Sequence, residues 1–468
     1  MPRRRFLLAS GGLALALADL SRPAGGRTAA AHAANEPSET LRVLLRRAGG
    51  ALVAQTARVS CDGPFTVRDA ADTHGAVAAT GARLTIERAA GGLWWELEDG
   101  KRRGPFGGPL EIRPEGSARL SDHRGEPHPP TAYRGIFQIA RSTDEQRLVV
   151  LNVLDLDEYL KGVVPVEMPT SFGPESARVQ AVAARGYALA RRVQSTHAAL
   201  QADLCDSSDC QSYGGLAVEQ ALSSAAVETT RGRTLLRDGA LFAPFYSSTC
   251  GGHTEDPSGI SGLVGAPAER AARQSVPDGE LPANVELRTE QGAATFYGKG
   301  WDSHCSASLS YRWKVRWDRE PLETLVDVGL RRLSGSPLVS PSFAADASIG
   351  HLKNLAVAER SASGRVLALQ IEGANGVWTV RGGWAIRALP RGSELNAAPL
   401  PSSAFVLQLD SSNGKLTTVS AFGAGSGHGV GMCQWGARGL AAKGLNWEAI
   451  LAHYYPTANL GPIPHWSV

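Results

Sequence analysis

The sequence predicts an α+β protein, a β-rich N-terminal unit packed on a mixed α/β domain, and three observations predict it. Short apolar runs separated by turn residues fill the chain from Leu41 to about Ile139. One long helical pattern follows at Pro174–Arg192. Beyond it, strand-like and helical segments mix without the regular βα alternation of a doubly wound sheet. At 468 residues the chain exceeds the usual size of one domain, and 53 glycines and 27 prolines imply many turns.

Residues 1–33 read as an export signal. Arg3-Arg4-Arg5 precedes the mostly apolar run Phe6–Leu17, and Ala31-His32-Ala33 supplies a small-residue cleavage site. The order Arg3-Arg4-x-Phe6-Leu7 is similar to the bacterial twin-arginine signal. The apolar run is shorter than the ~18–20 residues a spanning helix needs, so no stable membrane anchor is expected. Five arginines and one aspartate lie in this segment, and without it the formal charge falls from +3 to −1. Bulk attraction to nucleic acid then loses its support, and no nucleic-acid partner is expected.

Residues 34–40 read as a leader. The runs LRVLL, ALVAQTARV, FTVRD, ARLTIER, GLWWELE and PLEIRP then read as strands. Trp94-Trp95 fits either a core pair or a carbohydrate platform. Residues 148–154, LVVLNVL, make a buried strand. In the long helix Pro174 suits the first turn, Glu175 complements the N-terminal dipole, and Val179, Val182, Ala183, Gly186 and Ala190 share one apolar face. Residues 234–249 read as a hairpin turning at Asp238-Gly239. Residues 256–305, rich in Ala, Gly and Pro, read as a loop or lid. Strands resume at Trp313–Trp317, Leu352–Ala358, Val366–Ile371 and Val377–Val380. Two short helices close the chain, Gln434–Lys443 and a second N-capped by Asn446.

Several chemistries are excluded by spacing. The alternate glycines from Gly423 to Gly431 do not fit GxGxxG, no GxxxxGK[ST] exists, Ser426 lacks the outer glycines of GxSxG, and no HExxH occurs. Three segments remain. Val164-Pro165-Val166-Glu167-Met168-Pro169 sets one carboxylate among apolar and stiff residues. Desolvation there would raise its pKa and keep it protonated, as a glycosidic general acid must be. Its alternative is a surface glutamate or a helix partner. Ser247–Glu255 groups hydroxyls, Cys250, His253 and a carboxylate, and could be a substrate loop, half of a metal site or a polar turn. Only Cys250 and His253 there have ligand-like spacing. His428 stands among alternate glycines that would let a ligand or another segment approach closely, with Gln434 and Trp435 following.

The six cysteines Cys61, Cys205, Cys210, Cys250, Cys305 and Cys433 permit three disulfides in an exported protein, and Cys205 and Cys210 could pair or share a metal. A third chemistry, a thiol hydrolase built on Cys433 and His428, is also conceivable.

The stretches DEYLKGVVPVEMPTSFGPESARVQAVAARGYALARR, CDSSDCQSYGG, FYSSTCGGHTEDP and GSGHGVGMCQWGARGLAAKGLNWEAILAHYYP, in this order, resemble the SpoIID/LytB family. The weaker matches Tyr133-Arg134-Gly135, SGRVLALQIEG and VRGGWAIRALP extend the resemblance over about Leu41–Leu460. It implies a SpoIID-type catalytic core in two parts, 140–255 and 306–465, joined through 256–305 and preceded by the β-rich part 34–139. It also implies an envelope or periplasmic enzyme that cuts peptidoglycan glycan strands, particularly peptide-stripped ones, as a lytic transglycosylase.

By resemblance the catalytic acid is Glu167, and one carboxylate suffices because the muramic acid 6-hydroxyl attacks its own anomeric carbon. Arg185, Tyr246, His428, Gln434 and Tyr455 occupy family motif positions and are expected to bind substrate. The family also includes enhancers of an N-acetylmuramoyl-L-alanine amidase, which makes a cell-wall amidase an alternative partner. Cys433 stands where the family usually has serine and Gly186 where it has threonine. The serine in relatives argues against an essential thiol. Some members hold zinc near the segment matching Cys205–Cys210. No complete ligand set is assigned from this sequence, so no cofactor is required and zinc stays open.

Overall fold

Alternating apolar residues build the first layer of the protein. In the strand Thr40–Leu44, Leu41 and Val43 are fully buried, and the strand pairs antiparallel with Leu148–Asp155, Leu41 opposite Leu154. The computed structural model describes residues 39–45, 56–70, 77–79, 83–89, 91–121, 131–143, 145–194, 197–257, 275–281, 285–388 and 399–464. The expected export signal and most of the leader lie outside the described residues.

Leu148–Asp155 is the continuous apolar strand expected from its sequence, and it lies between Thr40–Leu44 and Ile136–Arg141 in a seven-stranded sheet. Leu110–Pro114, Phe65–Asp69 and Val77–Ala79 extend one side of the sheet, and Leu204–Cys205 closes the other by a parallel pairing. A six-stranded antiparallel sheet runs in the order Thr131–Tyr133, Ala118–Ser121, Thr56–Cys61, Arg83–Ala89, Gly92–Leu97, Arg102–Phe106. Val59, Ile86 and Trp95 of this sheet share one core with Phe137 and Val150 of the first. Trp95 is therefore a core residue, whereas Trp94 lies beneath the Arg102 guanidinium. An expected boundary at 139/140 falls inside the strand Ile136–Arg141 and is corrected: the β-rich part and the first part of the core share a sheet.

Nine α-helices are described: α1 Leu156–Lys161, α2 Val164–Glu167, α3 Pro174–Gln194, α4 Ala221–Thr229, α5 Glu290–Tyr297, α6 Arg319–Arg332, α7 Gly383–Arg387, α8 Gln434–Ala442 and α9 Trp447–Tyr454. The expected long helix is α3, and it is apolar on two sides rather than one. Ala177, Ala181, Ala184 and Ala188 join the sheet core, while Val179, Val182 and Ala183 join a second core with α8, α9 and Phe242. Short side chains let both layers close on it. The Asp238-Gly239 turn forms as expected, both residues with positive φ, between Arg233–Arg237 and Ala240–Leu241. Asn446 caps α9 by accepting from the Ala449 N–H.

A third core lies between α6 and two sheets. One is Arg312–Asp318, Lys415–Ala424 and Phe405–Ser412; the other is Val339–Ser340, Gly376–Arg381, Val366–Gly373 and Leu352–Arg360. The loop or lid expected over 256–305 is corrected in its described part. It contains α5, whose Phe296 and Tyr297 are buried, and the buried Asp278. Residues 258–274 and 282–284 lie outside the described residues. Glu39–Val468 is one compact unit. No helix among the described residues is long and apolar enough to cross a membrane.

Candidate functional site

Glu167 ends α2, a single turn begun after Val163 with proline near its start. Met168 is extended and buried beside it. The carboxyl is half-buried, and its Oε1 accepts the Ser212 N–H at 2.5 Å. Burial pushes its pKa above the ordinary value against the opposing pull of that hydrogen bond. No charged side chain among the described residues contributes to the shift. The expectation of a desolvated, protonation-prone carboxyl rested on its apolar neighbours and agrees with this geometry.

Three further segments converge here. Gln434, at the start of α8, donates its amide to the Glu167 carbonyl at 2.9 Å and to Gln180 Oε1 at 3.1 Å. Tyr246 accepts from Gln211 Nε2 at 2.8 Å, and Tyr159 donates to Gln211 Oε1 at 3.3 Å. Burial pushes both phenols well up, and the neighbouring Glu167 adds to the effect. Tyr246 and Gln434 thus stand with Glu167. Gln211, Ser212 and Tyr159 were not singled out from sequence. Their signal was the stretch Gln211-Ser212-Tyr213, which directly follows Cys210.

Arg185 does not line this cleft. It is fully buried, and its guanidinium bonds Asp157 Oδ1 at 2.8 and 3.2 Å and the carbonyls of Val227, Thr230 and Arg233. Its charge clamps α3 to α1 and α4. Tyr455 is 1% exposed and its hydroxyl donates to the Phe245 carbonyl at 2.7 Å, so it supports the wall behind Tyr246. His428 lies edge-on to Phe245 with Nδ1 accepting the Val430 N–H at 3.0 Å. Burial, then the charges of Arg387 and Arg365, lower its pKa to about 4, which keeps the imidazole neutral. The surrounding glycines admit protein rather than an open cavity. A Cβ on Gly431 would lie 2.0 Å from the Phe245 carbonyl oxygen, and one on Gly429 2.2 Å from Arg365 Nη2.

All six cysteines are buried free thiols, so the optional Cys205–Cys210 disulfide is not formed. His197 Nε2 lies 3.2 Å from Cys210 Sγ, and the donor atoms of His197, Cys205 and Cys210 all fall within 4.8 Å of one another. The suggested Cys250–His253 pairing is corrected. His253 Nδ1 bonds the Thr254 carbonyl, while Cys250 meets Asp278, Cys305 and Cys433 in a second donor cluster. The Cys433–His428 hydrolase reading is corrected with it, because Cys433 is fully buried in that cluster.

Residues 144–236 match the family model for the stage II sporulation protein, SpoIID, a span that holds Glu167, Arg185 and Ser212. Residues 269–431 match a domain of unknown function, DUF8618. An uncharacterized protein of Brachyspira hyodysenteriae is 25% identical over 308 residues, 66% of this chain and 67% of that protein. The amidase enhancer of Bacillus subtilis is 26% identical over 314 residues, which cover 64% of this chain but 40% of that relative.

Proposed function

The chain belongs to the SpoIID/LytB domain family, and from that premise we propose that it is an exported lytic transglycosylase of peptidoglycan glycan strands with Glu167 as its acid and base. The observation that carries the reading is the Glu167 carboxyl, half-buried and raised in pKa. The Ser212 N–H holds Oε1 and the Ser212 hydroxyl also bonds the carboxyl, which carries the acid proton. That proton goes to the glycosidic oxygen as the bond from the muramic anomeric carbon breaks. The carboxylate then takes the proton of the same sugar's 6-hydroxyl, whose oxygen closes on the anomeric carbon to give a 1,6-anhydromuramoyl end. A hydrolase with two carboxylates would need a second acidic group acting on a water.

Gln434 holds the Glu167 backbone, and Tyr246, fixed by Gln211, offers its ring and hydroxyl to a sugar. His428, neutral and half-buried, can hydrogen-bond a saccharide without introducing charge. His197, Cys205 and Cys210 are the residues that would hold zinc, and their donor set suits it. Zinc bound there would supply a cross-link, tying down the loop that carries Gln211 and Ser212 to Tyr246 and Glu167.

The test incubates purified protein and its Glu167→Gln variant with peptide-stripped glycan strands and reads products by mass spectrometry. Anhydromuramoyl ends from the unsubstituted protein alone are expected. Reducing ends would mean that water is the acceptor. A second reading, enhancement of a wall amidase, is favoured by the name of the Bacillus subtilis relative. Binding without cleavage by either protein would support it.

A further inference from the structure

Four donor side chains from three separate segments meet in the core behind α8. Cys250 follows the strand Tyr246–Ser247, Asp278 and Cys305 come from the segment around α5, and Cys433 is the N-cap of α8. Cys250 is 3% exposed and the other three are fully buried. Their donor atoms all lie within 4.8 Å of one another.

We propose that Cys250, Cys305, Cys433 and Asp278 form a structural zinc site, separate from the His197–Cys205–Cys210 set and independent of the catalytic reading. The Cys250 and Cys305 sulfurs are 3.7 Å apart. A tetrahedron with metal–sulfur bonds of about 2.3 Å has an edge of about 3.8 Å. A disulfide needs sulfurs at about 2.05 Å.

Backbone N–H groups converge on two of the sulfurs. Cys433 Sγ accepts the N–H groups of Cys250 at 3.2 Å and Gly436 at 3.3 Å, and Cys250 Sγ accepts the Gly252 N–H at 3.4 Å. The carboxylate is oriented as a ligand would be. Tyr454 donates to its Oδ1, while Ser303 Oγ and the Cys305 N–H, each at 3.1 Å, reach its Oδ2. Such outer partners fix a ligand's direction. Three soft sulfurs and one carboxylate oxygen in a closed, buried four-donor set suit zinc. Binding displaces the three thiol protons to solvent, and the carboxylate enters ionised.

The test uses the full chain carrying Cys205→Ser and Cys210→Ser, which removes the other donor set. After zinc loading and desalting, metal analysis should find one zinc per chain. Cobalt(II) in its place should give the intense sulfur-to-metal charge-transfer absorption of a tetrahedral thiolate site. Adding Cys433→Ser should abolish that absorption, and adding Asp278→Asn should weaken zinc affinity at least tenfold with the circular dichroism spectrum retained. A folded double variant that holds no zinc overturns the proposal. If that variant does not fold, the otherwise unsubstituted chain serves, where Cys433→Ser should remove one zinc equivalent and an unchanged content overturns the site. A Cys250–Cys305 cross-link in a non-reducing peptide map of the unsubstituted protein would overturn it equally.

Discussion

Glu167 and Arg185 lie close in sequence and do opposite work with their charge. Folding shifts Glu167 toward its neutral form, because burial outweighs the Ser212 hydrogen bonds. Turnover that needs the protonated acid should therefore fall as pH rises through the raised pKa, an alkaline limb read in kcat/KM. Glu167→Gln should remove the limb and cost about 10²–10⁴-fold in rate. Stability follows the same sign. The contribution of a carboxyl with raised folded pKa is present below its unfolded pKa and is lost as pH climbs through the folded one. Glu167→Gln should accordingly melt higher than the unsubstituted protein at pH 7, and the difference should vanish in acid. Arg185 instead keeps its charge by pairing with Asp157. Arg185→Ala should cost about 3–5 kcal/mol in denaturant unfolding, since it leaves the buried Asp157 only the exposed Arg231 at 3.4 Å and empties the carbonyl contacts of Val227, Thr230 and Arg233. Its folded fraction should keep an unchanged KM, which a substrate-binding arginine would not.

At the scale of elements, local pattern was legible wherever it answered to one neighbour. The strand Leu148–Asp155, the Asp238-Gly239 turn and the Asn446 cap each follow from a few adjacent residues. The two-sided burial of α3 does not, because alanines read as small rather than as a second interface. Arg185 was placed at the cleft by resemblance alone, and its burial between α3, α1 and α4 has no local signature. Helix α6 carries an ordinary apolar face, Leu322, Leu325, Val326 and Leu330, whose spacing is legible in the sequence although no helix was expected there. The glycine-rich segment Gly425–Gly431, which turns with positive φ at each glycine, shows the opposite case, where the pattern was plain and its reason lay in another segment. Gly431, at φ 70°, abuts the Phe245 carbonyl, whereas Gly444, at φ 91°, has open space where a Cβ would stand. Gly431→Ala should therefore exceed the ~1–3 kcal/mol of left-handed strain alone, and Gly444→Ala should stay within it. Thermal melts of the two variants check this.

The whole molecule gathers its candidate site from Tyr159, Glu167, Ser212, Tyr246 and Gln434, which only folding brings together. Glu167 could be read from its own neighbours, but the groups that grip it could not, since each contact crosses between segments. The domain boundary failed for the same reason, being drawn through a sheet whose strands come from both sides of it. The cysteines could be counted in the sequence, yet their grouping with Asp278 depends on chain paths that spacing does not encode.

Cys250 and Cys305 bring the two ends of the segment between them to within 3.7 Å. The protein can thus treat this stretch as a cassette whose outlet and inlet share one anchor. Thr254 and Val276 are hydrogen-bonded to each other on either side of residues 258–274, and lengthening a connection between ends held together costs about 0.6 kcal/mol for each doubling. A glycine–serine insert between residues 257 and 275 should reduce stability by no more than that in urea titration and leave the pH profile of turnover in place. Extra sequence, even a small foreign domain, could be carried at this position without disturbing the fold that bears it.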